Sequence, residues 1–330
     1  MLIFVHELGH FLAAKACGVQ VNEFAIGLGP AILKKQIGET VYAIRALPFG
    51  GQCVMEGEDE DSSNTRAFNN AAKWKRFIIL IAGVFMNFLM GLCIFLCLYA
   101  PVEQTTVPVV DSLMEKFTGG GENGIQEGDR IISVDGYHIF FTSDISTAFA
   151  RSSDYDFDVV VERDGRRLTL EDVHIEPQEY LENGETVSYY GFRYRVENVN
   201  FFGKIKLAIF ESINMVRIVF DGLRTILSGG VTLNDLVGPV GITATMSTAA
   251  KQSVYSFWYL AGLIAINLAV MNALPIPALD GGRILFLIIE AISRRKINRK
   301  VEAIINAVVL LLLLGLMLVV TVNDVWRLFQ

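Results

Sequence analysis

Phe4-Val5-His6-Glu7-Leu8-Gly9-His10-Phe11-Leu12 sets two histidines and a glutamate inside an apolar run. On a helix, residues four apart share a face, so His6 and His10 aim two imidazoles at one point with Glu7 beside them. Two histidines so spaced hold a zinc ion, and the glutamate takes a proton from a water whose pKa the metal lowers. The competing reading is an accidental pair of histidines on a buried helix. The surroundings weigh against it. Leu2, Ile3, Val5, Leu8, Phe11, Leu12, Ala13 and Ala14 mark a segment that wants lipid or a core, where ionisable groups are costly and point to function.

The rest of the chain agrees with a membrane setting. Its 330 residues are 52% hydrophobic and its mean hydropathy is +0.43, too apolar for an ordinary soluble enzyme. Three runs, 77–100, 254–274 and 303–322, each reach the roughly 20 residues a helix needs to cross a bilayer. With the N-terminal segment they predict four transmembrane helices. A cleaved signal peptide is not expected, since His6, Glu7 and His10 interrupt any apolar h-region.

The net charge of -7 says less than its distribution. Lys73, Lys75 and Arg76 precede the second helix, and Arg294, Arg295, Lys296, Arg299 and Lys300 precede the last. By the positive-inside rule both flanks are cytoplasmic. That places the N-terminus outside, 18–76 inside, 101–253 outside, 281–300 inside and the C-terminus outside. No nucleic-acid partner is supported. Cys17, Cys53, Cys93 and Cys97 all fall outside the exported region, so no disulfide is expected.

Between the first two helices, Val19, Val21 and Phe24 alternate with polar residues up to a break at Gly27-Leu28-Gly29-Pro30. Thr40 to Leu47 reads as a second strand ended by Pro48-Phe49-Gly50-Gly51. Such strands beside a membrane site either offer an edge to an unwound peptide or merely cover the site. The acidic run Glu56, Glu58, Asp59, Glu60 and Asp61 reads as a solvated loop. In the second helix, Ala82, Gly83 and Gly91 allow close backbone approach, and Asn87 reads as a packing residue that bonds across helices, with substrate contact as the alternative.

From Pro101 to about Gln178 the chain turns charged and glycine-rich. Gly124-Ile-Gln-Glu-Gly128-Asp129 leads into an apolar strand and the turn Asp135-Gly136, and Asp156–Leu170 forms a hairpin around Asp164-Gly165. This resembles a PDZ domain, a fold that captures extended peptides along a sheet edge. His138 and His174 read as surface residues. Phe201 to Leu227 is amphipathic and reads as helices lying on the outer surface; a fifth span is the alternative. Leu236 to Ile242, containing Gly238-Pro239-Val240-Gly241, reads as a loop.

The second chemical landmark is Asn272-Ala-Leu-Pro275-Ile-Pro277-Ala-Leu-Asp280-Gly281-Gly282. Two prolines break the helix and free backbone groups that need partners. Asp280, an acid at membrane depth, has the attributes of a third zinc ligand, and two histidines plus one carboxylate leave a position open for water. The alternative is an ordinary helix-capping aspartate.

Taken together, His6-Glu7-x-x-His10, Asn272-x-x-Pro275-x-Pro277-x-Leu279-Asp280-Gly281, Gly238-Pro-Val-Gly241 and the PDZ-like insert resemble the site-2 protease family of intramembrane zinc metalloproteases, most closely the bacterial regulator-of-sigma-factor type. The resemblance covers nearly the whole chain. It implies zinc held by His6, His10 and Asp280, Glu7 as general base and Asn272 as a substrate-positioning residue. It also implies single-pass membrane substrates, such as anti-sigma factors and leftover signal peptides, in the bacterial inner membrane. Five residues precede His6, where the family usually carries most of a helix, and Ala82-Gly83-Val84 stands where it usually has Ala-Gly-Pro. The expected fold is therefore a polytopic α-helical membrane protein with four transmembrane helices, a small cytoplasmic-side β-hairpin region and an extracytoplasmic PDZ-like α+β domain. Its expected parts are 1–100, the PDZ-like 101–190, the surface helices and Gly-Pro-Val-Gly loop of 191–253, and 254–330. The strands of Thr40 to Leu47 and the broken segment from Asn272 through Pro275 to Pro277 are expected to hold an unwound substrate. The competing class is a PDZ-bearing membrane scaffold with an inactive metal site.

Overall fold

The computed structural model describes the chain except residues 59, 61, 153, 183–184, 230–235, 296 and 329–330, and except the side chains of 48–49, 181–186, 299 and 328. Asp59 and Asp61 of the acidic run and Lys296 of the basic flank thus lie outside the described residues. The chain forms two compact units, Met1–Leu98 with Glu211–Gln330, and Tyr99–Phe210.

In the first unit, helix α1 (Leu2–Cys17) carries the two histidines and ends at Gly18, whose φ of 78° only glycine adopts without strain. A β region follows, then helix α2 (Lys73–Tyr99). Among the described residues three helices are long and apolar enough to cross a membrane: α2, Val254–Ala273 and Lys300–Arg327. We number α5 (Pro239–Gln252), α6 (Val254–Ala273), α7 (Asp280–Ser293) and α8 (Arg299–Leu328) after α3 (Thr142–Phe149) and α4 (Phe201–Leu227). Leu311, Leu312 and Leu318 of α8 stand exposed, as side chains that face lipid rather than protein would. Gly238-Pro239-Val240-Gly241, expected as a loop, instead starts a helix: Pro239 is the first residue of α5, where its missing N–H costs nothing. Asp324 of α8 caps that start, accepting from the Gly238 N–H at 3.2 Å and the Gly241 N–H at 2.8 Å.

The β region corrects the expected strand ends. Strand β1 (Val21–Ile37) runs through Gly27 and Gly29, and β2 (Thr40–Met55) runs through Pro48 to Gly51. The glycines make bulges rather than turns: Gly27, Gly29 and Gly50 have φ of 86°, 84° and 87°, and the register shifts between Ile26 and Ala31. Because both strands bend, Glu23–Ile26 has two neighbours from β2, Val41–Ile44 and Gly51–Val54. Gly51–Val54 therefore pairs on one side only, among the described residues.

The second unit is built on strands β3 (Gln104–Leu113), β4 (Arg130–Val134), β5 (Tyr137–His138), β6 (Asp156–Arg163), β7 (Arg166–His174), β8 (Gln178–Glu182), β9 (Glu185–Tyr189) and β10 (Phe192–Asn198). One sheet runs β10-β3-β4-β6-β7, with β5 paired to β4. Asp164 and Gly165, at φ of 50° and 74°, make the expected two-residue turn between β6 and β7. Ile131, Val134, Phe149, Phe157 and Val159 fill the core under α3. Asp129 is fully buried and meets the Arg163 guanidinium through two bonds of 2.7 Å.

Candidate metal centre

The helical spacing does what the sequence requires of it: His6 Nε2 and His10 Nε2 lie 3.2 Å apart on the buried face of α1. Asp280, the first residue of α7, brings its Oδ2 to 2.9 Å from His6 Nε2 and 3.3 Å from His10 Nε2. Residues 274 positions apart in sequence thus share one point. Asp280 is no helix cap, since Leu279 holds the cap position and no side chain caps α7. A zinc ion with bonds of about 2.0–2.1 Å sets tetrahedral ligands about 3.3 Å apart, and the three donor atoms already stand at nearly those separations. Asp280 Oδ2 is buried and faces the two imidazole nitrogens, three donor atoms around one point that a cation would satisfy together. The donor set therefore fits zinc.

Helix α2 aims the rings. His10 Nδ1 lies 2.8 Å from the Ile79 carbonyl oxygen; a carbonyl only accepts, so the ring proton sits on Nδ1 and the Nε2 lone pair is free. His6 Nδ1 lies 3.2 Å from the Asn87 side-chain amide. Gly83 passes under both rings, for a Cβ there would stand 2.7 Å from His10 Cε1 and 2.8 Å from His6 Cε1. Close approach comes from the other helix too, where Gly9 faces the Ala82 backbone.

Asp280 is aimed by α8. Ala278 sits at φ 72°, an uncommon conformation for a residue with a Cβ. Its N–H donates to Asn306 Oδ1 at 3.0 Å. The hydrogen bonds Ile276 N–H to Leu274 O at 2.7 Å and Leu279 N–H to Ile276 O at 3.2 Å tighten the segment between α6 and α7. The Met271 carbonyl, which Pro275 has no N–H to meet, is taken instead by the Leu274 N–H at 3.2 Å.

A cavity of about 570 Å³ opens on the centre, lined by His6, Glu7, His10 and Asp280 and by Gly51–Met55 of β2. Charged pairs also line it: Arg283 with Glu58, and Arg76 Nη1 with Glu290 Oε2 at 3.0 Å. Asn272 lies half-buried in the last turn of α6 and, like Pro275 and Pro277, is not among the described residues lining this cavity. Sequence reading missed Asn306, and it assigned Asn87 to packing; Asn87 is a polar residue in an otherwise apolar stretch of α2 and Asn306 one just before the apolar run of α8, which is the signal that was available. His138 and His174 lie in the other unit, where His174 Nδ1 meets Asp156 Oδ1 at 2.7 Å.

Two imidazoles and a carboxylate at one buried point, with a glutamate on the same cavity and long apolar helices around them, are the centre of a membrane metallopeptidase. The model of Peptidase family M50 matches residues 1–316. A Fusobacterium nucleatum protein with a zinc metalloprotease name is 35% identical over 345 residues, covering 100% of this chain and 97% of its own length. Regulator of sigma-W protease RasP of Bacillus subtilis is 30% identical over 413 residues, covering 99% and 96%. Zinc metalloprotease RasP of Bacillus licheniformis is 30% identical over 412 residues, covering 99% and 97%. The chain belongs to peptidase family M50, the site-2 protease family.

Proposed function

We propose that this chain is an intramembrane zinc metalloprotease that cuts single-pass membrane proteins in or near their transmembrane segments. The observation that carries this reading is the triangle of His6 Nε2, His10 Nε2 and Asp280 Oδ2, with sides of 2.9, 3.2 and 3.3 Å. These three residues would hold the ion. Zinc, when bound, lowers the pKa of its water to about 7. Glu7, on the same cavity, is placed to act as the general base, taking a proton from the attacking water and passing it to the leaving amine. The cleaved bond must leave its helix, because an intact helix hides its carbonyls. The one-sided strand Gly51–Val54 lines the cavity, so it, rather than Thr40 to Leu47, is the edge to which an extended substrate adds. Asn272, Pro275 and Pro277, in the last turn of α6 and the segment that leads from it to Asp280, remain the residues to which the family resemblance gives a role in positioning the substrate.

Four membrane helices (α1, α2, α6 and α8) enclose the site in this reading. The Tyr99–Phe210 unit is PDZ-like and extracytoplasmic, gating access, and the site opens toward the cytoplasm of a bacterial inner membrane. The proposed organisation keeps the division suggested by the sequence, 1–100, 101–190, 191–253 and 254–330, with the PDZ-like part carried on through β10 (Phe192–Asn198), which pairs with β3. Anti-sigma factors and signal-peptide remnants are the substrate class, supported for the former by the sigma-W name of the Bacillus subtilis relative.

Zinc analysis of purified wild type beside Asp280→Ala, with cleavage of a single-pass substrate by Glu7→Gln, tests the proposal. Wild type carries one zinc per chain and Asp280→Ala loses it; Glu7→Gln keeps zinc and loses cleavage. A Glu7→Gln protein that cleaves normally, or an Asp280→Ala protein that keeps its zinc, refutes it. A scaffold with an inactive site would be indifferent to Glu7→Gln.

A further inference from the structure

We infer that Asn87 is a positioning residue for the metal centre, whose side-chain amide fixes the tautomer and aim of the His6 ring. The inference rests on the zinc assignment above and adds to it a residue that touches no metal.

Asn87 is 0% exposed and lies in α2 between Met86 and Phe88, in an almost wholly apolar stretch. As placed, its Nδ2 stands 3.2 Å from His6 Nδ1 while its Oδ1 has no partner. A buried unpartnered carbonyl costs about 1–3 kcal/mol, so packing alone would be served better by leucine. The two ends of the amide are nearly the same size and exchange by a half-turn about Cβ–Cγ. To direct its Nε2 lone pair at a cation, His6 must carry its proton on Nδ1. An Nδ1–H needs an acceptor, and the exchanged amide supplies one: Oδ1 then accepts from His6, and the orphaned oxygen is satisfied. With Nδ2 facing the ring instead, the proton sits on Nε2, 2.9 Å from Asp280 Oδ2. The amide can therefore serve the ring in both forms, where the Ile79 carbonyl serves His10 in only one. Hydrophobic replacements serve neither form. Aspartate, which only accepts when ionised, serves the metal-ready one.

The test is a zinc-affinity measurement on the full chain in detergent, by competition with a chelator of known affinity, beside thermal unfolding of the zinc-free proteins. Asn87→Leu is expected to weaken zinc binding about 10–100-fold while unfolding no earlier than wild type, and Asn87→Asp to bind within about threefold of wild type. Asn87→Ala makes the same comparison where leucine does not fit. Wild-type affinity in Asn87→Leu or Asn87→Ala, or a loss in Asn87→Asp as large as theirs, overturns the inference. His6→Ala in the same assay separates the two ideas. If it keeps zinc the assignment itself fails; if it loses zinc while Asn87→Leu keeps it, only the role of Asn87 fails.

Discussion

Gly83→Ala adds one methyl group at the place where α2 passes under the two histidines. Its carbon would stand 2.7 Å from His10 Cε1 and 2.8 Å from His6 Cε1, and closer still to His10 Nε2. Non-bonded carbons rest about 3.5–4.0 Å apart, so the rings or the helix must retreat by roughly 0.8–1.2 Å. The rings cannot tilt away cheaply, because Ile79 O and Asn87 hold their far sides, and Gly9 against the Ala82 backbone keeps the helices together. Metal–ligand distances tolerate only about 0.2 Å, so a retreat several times larger breaks the donor triangle. Overpacking costs of about 1–3 kcal/mol correspond to a loss in zinc affinity of about 5–150-fold. The assay is zinc content and chelator competition on the purified protein, with its unfolding temperature. Gly91→Ala is the control on the same helix: a Cβ there meets Ile266 Cγ1 at 2.5 Å and the Gly262 carbonyl oxygen at 3.2 Å. It is expected to lower stability and leave zinc in place. Full zinc affinity in Gly83→Ala, or an equal loss in Gly91→Ala, refutes the reasoning.

Asn306→Leu removes the acceptor of the Ala278 N–H and is expected to lower zinc affinity about tenfold, a net hydrogen bond of about 1–1.5 kcal/mol. Adding Ala278→Gly, which adopts φ 72° without strain, should recover part of that loss; no recovery would mean that Asn306 acts elsewhere. Asp129→Ala leaves the Arg163 guanidinium without its buried partner and is expected to destabilise the Tyr99–Phe210 unit by about 3 kcal/mol, read as a lower unfolding temperature with zinc binding unchanged. Glu39, at the turn joining β1 to β2, is held down to a pKa of about 2 by Arg66 and then Lys15. A depressed carboxylate stabilises fully above its ordinary value of 4.5 and loses that contribution as pH falls toward 2. Hydrogen-exchange protection across residues 21–45, corrected for the intrinsic pH dependence of amide exchange, should therefore fall as pH drops between those values in wild type and change less in Glu39→Gln.

The sequence made the α1 half of the site legible because its information is local: a period of four residues on one helix is enough to pair His6 with His10. Asp280 was legible through its setting, an acid beside two prolines in an apolar region. The β region misled because glycine and proline usually punctuate strands, whereas here Gly27 and Gly50 bend strands that continue. Gly238-Pro239 misled in the same way, although a proline at a helix start is a known preference. Asn306 had no motif to announce it. Its partner Ala278 is 28 residues away, and only the fold brings the two together.

The two halves of the centre share a plan that explains why these polar residues sit where they do. In each, one helix presents the ligands and the next helix holds them. Helix α1 presents His6 and His10, and α2 answers with the Ile79 carbonyl, Asn87 and the space left by Gly83. Helix α7 presents Asp280, and α8 answers with Asn306 on the bent backbone before it. Water would supply such hydrogen bonds to an enzyme in solution; in a membrane the protein must supply them itself. An asparagine in each holding helix does so without adding a charge. An ionised residue at either position would bring a desolvation cost that the neutral amide avoids. On this plan Asn87→Leu and Asn306→Leu act on different ligands that share one ion. Their effects on zinc affinity should fail to add, since a centre that has lost one ligand has little more to lose from the other.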